Sequence, residues 1–455
     1  MSMSGHVIES APLIVTFGTA ILSQFYTIGK KWQNFILLLL GVLTLYFTYG
    51  FFFLCEYAPS STHSLFDLSF NKISLFVGSI FCGSLFMGLY PVRNEITLSS
   101  RFILFIAGGI GIILSNNLPT FFLFWTFQRA IPFVSFVRDL KNDDASGGGT
   151  YIFQHILAFI CFSALLFMVY EAGFLITPLN EIPGTFFTWP VLILTFVVIY
   201  QSHGIFPFHS WVHDIMGHLA WYEISCMFLS RTGVLFFVQL LLPTLNQDPD
   251  TFKILLLTLS IVSSVYWTFR GIFEENVNRI PTYFYVAQSS LIFTGLQADL
   301  TAARGAYLHM MVISLCGTAL FSILSYIQTQ FSLKRSNQFY GLAQYYPKLA
   351  TLFCLFGFCM IGVPLGASFI VEDLVINGLL DQQPYLGLGH IVATCLNGIL
   401  FFLLFSKIFL GRTPYSRDVK NMDMKLGQMA PYLGTLILML LIGIMPYLFL
   451  ENISW

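Results

Sequence analysis

The sequence predicts an all-α polytopic membrane protein of about fourteen transmembrane helices, on three observations. Of its 455 residues 56% are hydrophobic and only 9% are charged. A soluble domain carries about a quarter charged residues, and a water-soluble fold of this length could not solvate its surface with so few. Apolar stretches of the ~20 residues that a membrane helix needs recur along the whole chain. The loops between them are alternately rich and poor in Lys and Arg, as loops on the two sides of a bilayer should be. No linker is long enough to fold by itself. The net charge of −1 gives no sign of a nucleic-acid or acidic partner recognised by the chain as a whole, and no nucleic acid is expected.

In order, the spans fall near 11–29, 32–55, 72–92, 101–115, 119–137, 152–175, 187–208, 218–242, 252–272, 280–296, 305–330, 349–380, 385–411 and 428–450. The fourth and tenth are short, and the seventh and twelfth look broken. Glu9 precedes the first apolar run where a signal peptide would be basic, so the first helix is expected to stay. The segment from Arg138 to Gly149 (RDLKNDDASGGG) reads as a flexible loop. The 50 Phe residues exceed what a lipid-facing surface demands, which reads as the coding bias of an AT-rich organelle genome. The eight cysteines (Cys55, Cys82, Cys161, Cys226, Cys316, Cys354, Cys359 and Cys395) are scattered through apolar segments. Their closest pair is neither a CxxC nor a zinc or iron–sulfur spacing, so packing is expected of them and no metal or redox centre.

Alternate loops after the first span hold Lys30, Lys31, Arg93, Arg101, Arg138, Lys141, Arg270, Arg279, Lys334, Arg335, Lys348, Arg412, Arg417, Lys420 and Lys425, which is 15 of the 21 basic residues. The opposite loops hold Lys72, Lys253 and Arg304, beside acids such as Glu56, Asp67, Glu181 and Asp381. Three bases remain inside spans, Arg129, Arg231 and Lys407, with the acids Glu171, Glu223, Glu372 and Asp373. A charge at the bilayer centre costs at least ~2.5 kcal/mol, so each needs a partner, a hydrated cavity or a role. Glu171 and Lys407 suit helix ends that reach the headgroups. Glu223, Met227 and Arg231 lie at spacings that share one helix face.

Histidines cluster at His203, His209, His213 and His218, around Gly204, Pro207 and Gly217. Proline and glycine break a membrane helix and free backbone carbonyls, which survive only inside protein or beside water. Neutral imidazoles there suit a proton relay; ordinary interfacial residues and, more remotely, a zinc site are the other readings. A second break is expected at Val363-Pro364-Leu365-Gly366, just before Glu372 and Asp373. Glu372 there is either a proton carrier or a cap of the resumed helix. Two interrupted helices five spans apart point to two five-helix repeats with a transport site at each break.

On these residues the chain resembles the antiporter-like membrane subunits of NADH:ubiquinone oxidoreductase, respiratory complex I. Phe206-Pro-Phe-His209-Ser-Trp211-Val-His-Asp214 is similar to the family's His, Trp and Pro-Lys/Asp-Ala-His run at the break of its seventh helix. Arg231-Thr-Gly233 stands near the family's Leu-Lys-x-Gly, and Asn278-Arg279-Ile280 through Tyr283 near its Asp-x-Lys-x-x-Ile-Ala-Tyr-Ser-Ser. Gly362-Val-Pro364 through Glu372 resembles the Met/Leu-Pro-x-x-x-Asn-Phe-x-Gly-Glu of the twelfth helix. Glutamate there, with the chain length, points to subunit 4 rather than subunits 2 or 5. The resemblance implies an N-terminal segment over 1–118, a first antiporter-like half over 119–248, a second over 249–411 and a C-terminal loop and helix over 412–455.

The resemblance also implies proton translocation driven by electron transfer elsewhere, with flavin, iron–sulfur clusters and quinone in other subunits and no cofactor here. Membrane-arm neighbours, above all other antiporter-like subunits, and lipids such as cardiolipin are the expected partners. The mitochondrial inner membrane is the expected location, with a bacterial plasma membrane as the alternative. Glu372, Arg231, His203, His209, His213, His218, Glu223, His309, Arg129 and Lys407 are the candidate proton path. Four positions depart from the family. Its helix-five glutamate falls on Thr126 and its helix-seven lysine on Ser202, while two of its histidines fall on Gln288 and Ile313. Arg129, His203 and His309 lie close enough in sequence to compensate. A non-pumping structural member of the same membrane arm is therefore a second reading. A subunit of a cation/proton antiporter or an ion-coupled bicarbonate transporter is a third.

The loop asymmetry places both termini on the outer side and Arg417 to Lys425 on the inner side. Protease protection of tags placed after Trp455 and within residues 412–427 checks this; the two tags are expected on opposite sides.

Overall fold

The computed structural model describes residues 11–16, 18–19, 30–53, 67–68, 71–95, 98, 100–140, 148–229, 232–241, 250–331, 333, 339–412 and 423–450. Among these residues eight helices are long and apolar enough to cross a membrane, and Arg101–Leu114, Trp189–His203 and Pro347–Met360 are shorter apolar helices. Helix is the expected answer to lipid, where each backbone N–H and C=O must find its partner within the segment. The chain falls into two compact units, Met1–Gly83 with Thr97–Pro249, and Ser84–Ile96 with Asp250–Trp455.

The first unit contains α1 (Lys30–Phe53), the start of α2 (Lys72–Val92), α3 (Ser100–Leu114), α4 (Leu118–Leu140), α5 (Gly149–Glu171), α6 (Trp189–His203), α7 (Trp211–His218), α8 (Trp221–Leu229) and α9 (Thr232–Phe236). Helix α4 starts where it does because Asn117 caps it. The Asn117 side-chain oxygen accepts from the Thr120 N–H at 3.1 Å, and Asp67 holds the same corner through Asn116 at 2.8 Å. Its far end runs through Arg138 to Leu140, so the polar segment expected to be loop begins as helix. Phe121, Phe162, Phe236 and Trp125 pack ring against ring at 4.9–6.1 Å, which gives part of the Phe excess a packing role. Helix α5 buries Tyr151, Gln154, His155, Ala158, Phe162, Leu165 and Val169 along one stripe. Its opposite face exposes Phe153, Ile156, Ile160 and Phe167, apolar on both sides as a lipid-facing helix should be.

The second unit holds α10 (Asp250–Ile272), α11 (Ile280–Ser290), α12 (Ile292–Gln297), α13 (Leu300–Gln328), α14 (Pro347–Met360), α15 (Ala367–Gln382), α16 (Pro384–Phe409), α17 (Leu426–Ile444) and α18 (Tyr447–Leu450). Helix α13 is almost wholly buried and is the axis against which α12, α14 and α15 pack. It begins at Leu300, five residues before the expected 305, because Asp299 caps it by accepting from the Ala302 N–H at 2.6 Å. Arg304 therefore lies inside a helix rather than in a loop. Lys72 and Lys253 likewise sit in the opening turns of α2 and α10. Lys253 Nζ donates to the Ala298 carbonyl at 3.0 Å and closes the end of the second unit.

Both expected interruptions are present: the chain leaves the helix between His203 and Trp211 and again between Met360 and Ala367. Helix α17 lies so close to the second break that a Cβ on Gly443 would sit 2.9 Å from the Gly366 carbonyl carbon and closer still to the Leu365 carbonyl oxygen. A backbone neighbour cannot yield as a side chain can. Gly443→Leu should cost about 1–3 kcal/mol through overpacking, read as a lower thermal midpoint and less assembled protein. Gly434, where a Cβ would meet nothing nearer than Met87 Cε at 4.0 Å, should accept Ala without loss.

Candidate functional site

The first break is closed locally before it is used. Gly204 takes a left-handed conformation (φ 66°) at the end of α6. Its N–H donates to Gln201 O at 3.2 Å and the Ile205 N–H to Tyr200 O at 2.9 Å, the two bonds of a Schellman motif. The side chains around it complete the account. Trp211 Nε1 donates to Gln201 O at 2.9 Å, and Arg129 Nη2 donates to Ser202 O at 3.3 Å from the middle of α4. Trp125 Nε1 reaches Ser202 Oγ at 3.2 Å. Carbonyls freed by the break are thus taken up by an indole and a guanidinium.

Arg129 is 4% exposed. Its Nε and Nη1 have no hydrogen-bond acceptor, and its guanidinium carbon lies 5.8 Å from the Trp211 ring centre. Tyr151 OH donates to the Arg129 carbonyl at 2.9 Å. His155 stacks on Tyr151 at 3.8 Å and gives its Nδ1–H to the Tyr151 carbonyl at 2.8 Å, which leaves Nε2 as a lone pair with no donor. Asp214 is committed elsewhere, accepting from Thr150 Oγ1 at 2.6 Å and from the Tyr151 N–H at 2.9 Å. Tyr151, His155 and Asp214 were not among the candidates read from the sequence. Their signal was available in part: one turn of α5 carries Tyr151, Gln154 and His155 on its buried stripe.

The four clustered histidines have separate surroundings. His203 is buried and its Nε2 accepts the Val234 N–H at 3.3 Å. His209 lies in the loop, its Nδ1 3.1 Å from Pro207 O and its ring stacked on Phe206. His213 is half-buried in α7. Arg231 and the side chain of His218 lie outside the described residues. Glu223 opens α8 and accepts from the Ala220 N–H at 3.0 Å, an N-terminal capping contact. The helix that was to place Glu223, Met227 and Arg231 on one face ends at Leu229 as described. Among the described residues no group of three or more His, Cys, Asp or Glu is arranged to hold a metal.

Thr126, the position at which the resemblance implied a glutamate, is half-buried, and its hydroxyl donates to Leu123 O at 2.9 Å; its neighbours Trp125 and Arg129 are buried. Ser202 stands where a lysine was expected, and Arg129 brings a cation to that residue's carbonyl from α4 instead. No described carboxylate accompanies it.

The second break has a different chemistry. Gly362 and Leu365 both take left-handed conformations, φ 76° and 74°. Leucine pays for that conformation in strain, so the tight turn is imposed by its surroundings. The Glu372 carboxylate lies against Gly362 so closely that a Cβ there would sit 2.7 Å from Glu372 Cδ. Glu372 Oε1 is buried with no hydrogen-bond partner. It is the sixth residue of α15, beyond the first turn, so it does not cap that helix. Asp373 is exposed and accepts from Asn377 Nδ2 at 3.3 Å. The two adjacent acids therefore do not share one buried place.

Buried polar side chains continue through the second unit. His309 Nε2 donates to Gln288 Oε1 at 3.3 Å, so two positions singled out by the family comparison meet across α13 and α11. Thr294 Oγ1 gives its proton to Leu291 O at 2.6 Å and accepts from His390 Nδ1 at 2.9 Å. Asn397 on α16 bonds Thr268 and, at 3.2 Å, Ser264 on α10. His390 and Asn397 were missed because each is one polar residue in a long apolar run. Lys407 is half-buried two residues before the end of α16, with Glu274 within electrostatic reach.

Residues 115–397 match the family model described as NADH:quinone oxidoreductase/Mrp antiporter, transmembrane. The chain is 23% identical over 349 residues to NADH-quinone oxidoreductase subunit M of Buchnera aphidicola subsp. Acyrthosiphon pisum, covering 72% of this chain and 68% of that one. Its fold is similar to that of a chain of respiratory complex I from Thermus thermophilus, with TM-score 0.81, 16% identity and 98% and 96% of the two chains covered. It is equally similar to a chain of the Mrp complex from Dietzia sp., with TM-score 0.81, 14% identity and 99% and 96% covered. The matched segment spans both helix breaks, Arg129 and Glu372, and more than half of the sequence: this chain belongs to the NADH:quinone oxidoreductase/Mrp antiporter transmembrane family.

Proposed function

We propose that this chain is a proton-carrying, antiporter-like membrane subunit of an NADH:quinone oxidoreductase, of the subunit-4 type, with about fourteen spans in two five-helix repeats. The observation that carries the proposal is Glu372, a carboxyl set against a helix break with one oxygen buried and unpartnered. Such an oxygen can take a proton and release it again without breaking a bond to a neighbour. The buried pairs Gln288–His309 and Thr294–His390, with the Asn397 cluster, supply groups that can order water and pass a proton within the same unit. Charge movement across the bilayer costs ~2.3 kcal/mol per 100 mV, so the work has to come from quinone reduction in other subunits. Flavin, iron–sulfur clusters and quinone belong to those subunits, and neighbouring antiporter-like chains and cardiolipin to its surroundings. The Phe-rich composition favours the mitochondrial inner membrane.

The first unit favours a second reading for its own half: with a threonine at position 126, it has no described acid hydrogen-bonded to Arg129 to hold a proton. In that reading it transmits coupling without pumping. A cation/proton antiporter or bicarbonate transporter subunit is separated from both by what migrates with the chain in mild detergent. Flavin and iron–sulfur absorption are expected.

Glu372→Gln should leave the complex assembled and its NADH-to-quinone chemistry measurable. The proton step through this subunit should slow by about 10²–10⁴-fold, seen as fewer protons moved per electron pair or as slower turnover in coupled vesicles. Unchanged pumping and turnover would end the proton-carrying role. Gly362→Ala, which places a Cβ in a left-handed turn and against the carboxylate, should act in the same direction.

A further inference from the structure

Serine and threonine in these helices commonly return their hydroxyl to the carbonyl one turn back. Ser290 donates to Val286 O at 2.9 Å, Ser314 to Met310 O at 2.6 Å and Thr318 to Ser314 O at 2.7 Å. Ser368 has no such turn behind it. It is the second residue of α15, and the chain before it is the break between Met360 and Ala367, so position 364 lies outside any helix. Its hydroxyl is left fully buried, 0% exposed, with no hydrogen-bond partner. A buried hydroxyl in that condition is uncommon and calls for a use.

One turn further along α15, Glu372 has the complementary lack: its buried Oε1 is an acceptor with no donor. Residues four apart on a helix share a face, with Cβ atoms about 5–6 Å apart, and a long side chain leans back toward the helix start. The Glu372 side chain therefore leans over the turn that carries Ser368, as its contact with Gly362 shows. Resting on the proton-carrying reading of Glu372, we propose that Ser368 is its positioning residue: the hydroxyl donates to the carboxylate once the proton has left, and so favours release. The structure shows the pair with that bond unmade. The titratable groups nearest this level on the helices packed against α15 are Arg304, Tyr307 and His309 on α13, Cys359 on α14, and His390 and Cys395 on α16. Helix α12 and the end of α17 at the break carry none, and Asp373 on α15 itself is exposed. None of these groups is bonded to Glu372 Oε1. Their own titration is common to the wild type and to variants at position 368.

The test is the pH dependence of proton-coupled turnover by the intact complex in sealed vesicles. Ser368→Ala removes one oxygen, and the limb of the profile set by Glu372 should move about one unit toward alkaline pH, because the ionised carboxyl loses a bond that favours it. Ser368→Thr, which keeps the hydroxyl, should leave the limb in place. A packing role alone would lower assembly without moving the limb. Should Ser368→Ala not assemble, Ser368→Cys, of similar size and only a weak donor, should show the same move. An equal move in Ser368→Thr overturns the inference. Glu372→Gln separates this inference from the reading beneath it. If that variant keeps the limb, the proton-carrying role of Glu372 falls and the inference falls with it. If it abolishes the limb while Ser368→Ala and Ser368→Cys leave it in place, Glu372 still carries the proton and Ser368 is not its donor.

Discussion

In a bilayer an interrupted helix leaves backbone groups with no water to receive them, and the organisation around both breaks follows from that constraint. At the first break the problem is solved twice over. A Schellman turn on Gly204 re-pairs two N–H groups, and Trp211 and Arg129 then donate to carbonyls of the last turn. At the second, Gly362 and a strained Leu365 fold the chain tightly, and Gly443 lets α17 press against the turn. Once these groups are satisfied, what distinguishes the two places is the charged side chain each retains.

Those side chains have opposite signs. The first break is met by a cation, Arg129, brought in from α4 to the residue where the family resemblance implied a lysine. The second is met by an acid, Glu372. An acid without a bonded partner on one oxygen suits proton binding; a guanidinium bonded to a backbone carbonyl, with no acid among the described residues bonded to it, suits a structural clamp. Two breaks of similar architecture thus favour different chemistry. Where the resemblance implied a carboxylate on α4, the chain has Thr126.

Packing explains how such charges are tolerated. Tyr151, Trp211 and Trp125 form rigid walls that also donate hydrogen bonds, so they exclude lipid while satisfying polar atoms. In the second unit, Gln288 pairs with His309, Thr294 with His390, and Asn397 with Thr268 and Ser264, across α10, α11, α12, α13 and α16. These pairs tie helices together and at the same time leave a series of exchangeable hydrogen bonds.

The membrane class, the breaks at Gly204 and Pro364, and the spans that carry Arg129 and Glu372 are legible from the residues alone. Each of these follows from local chemistry: apolar run length, glycine and proline backbone limits, and the cost of a charge in lipid. Helix starts were harder to read, because Asn117 and Asp299 caps outweigh hydropathy within a turn. It takes the folded chain to show that Arg129 reaches Ser202, that His203 accepts the Val234 N–H, that Gln288 meets His309, and that His155 and His390 lie in buried polar contacts. A side chain's partner there depends on which helix lies opposite and how it is turned. Apolar segments of nearly uniform composition carry little record of either.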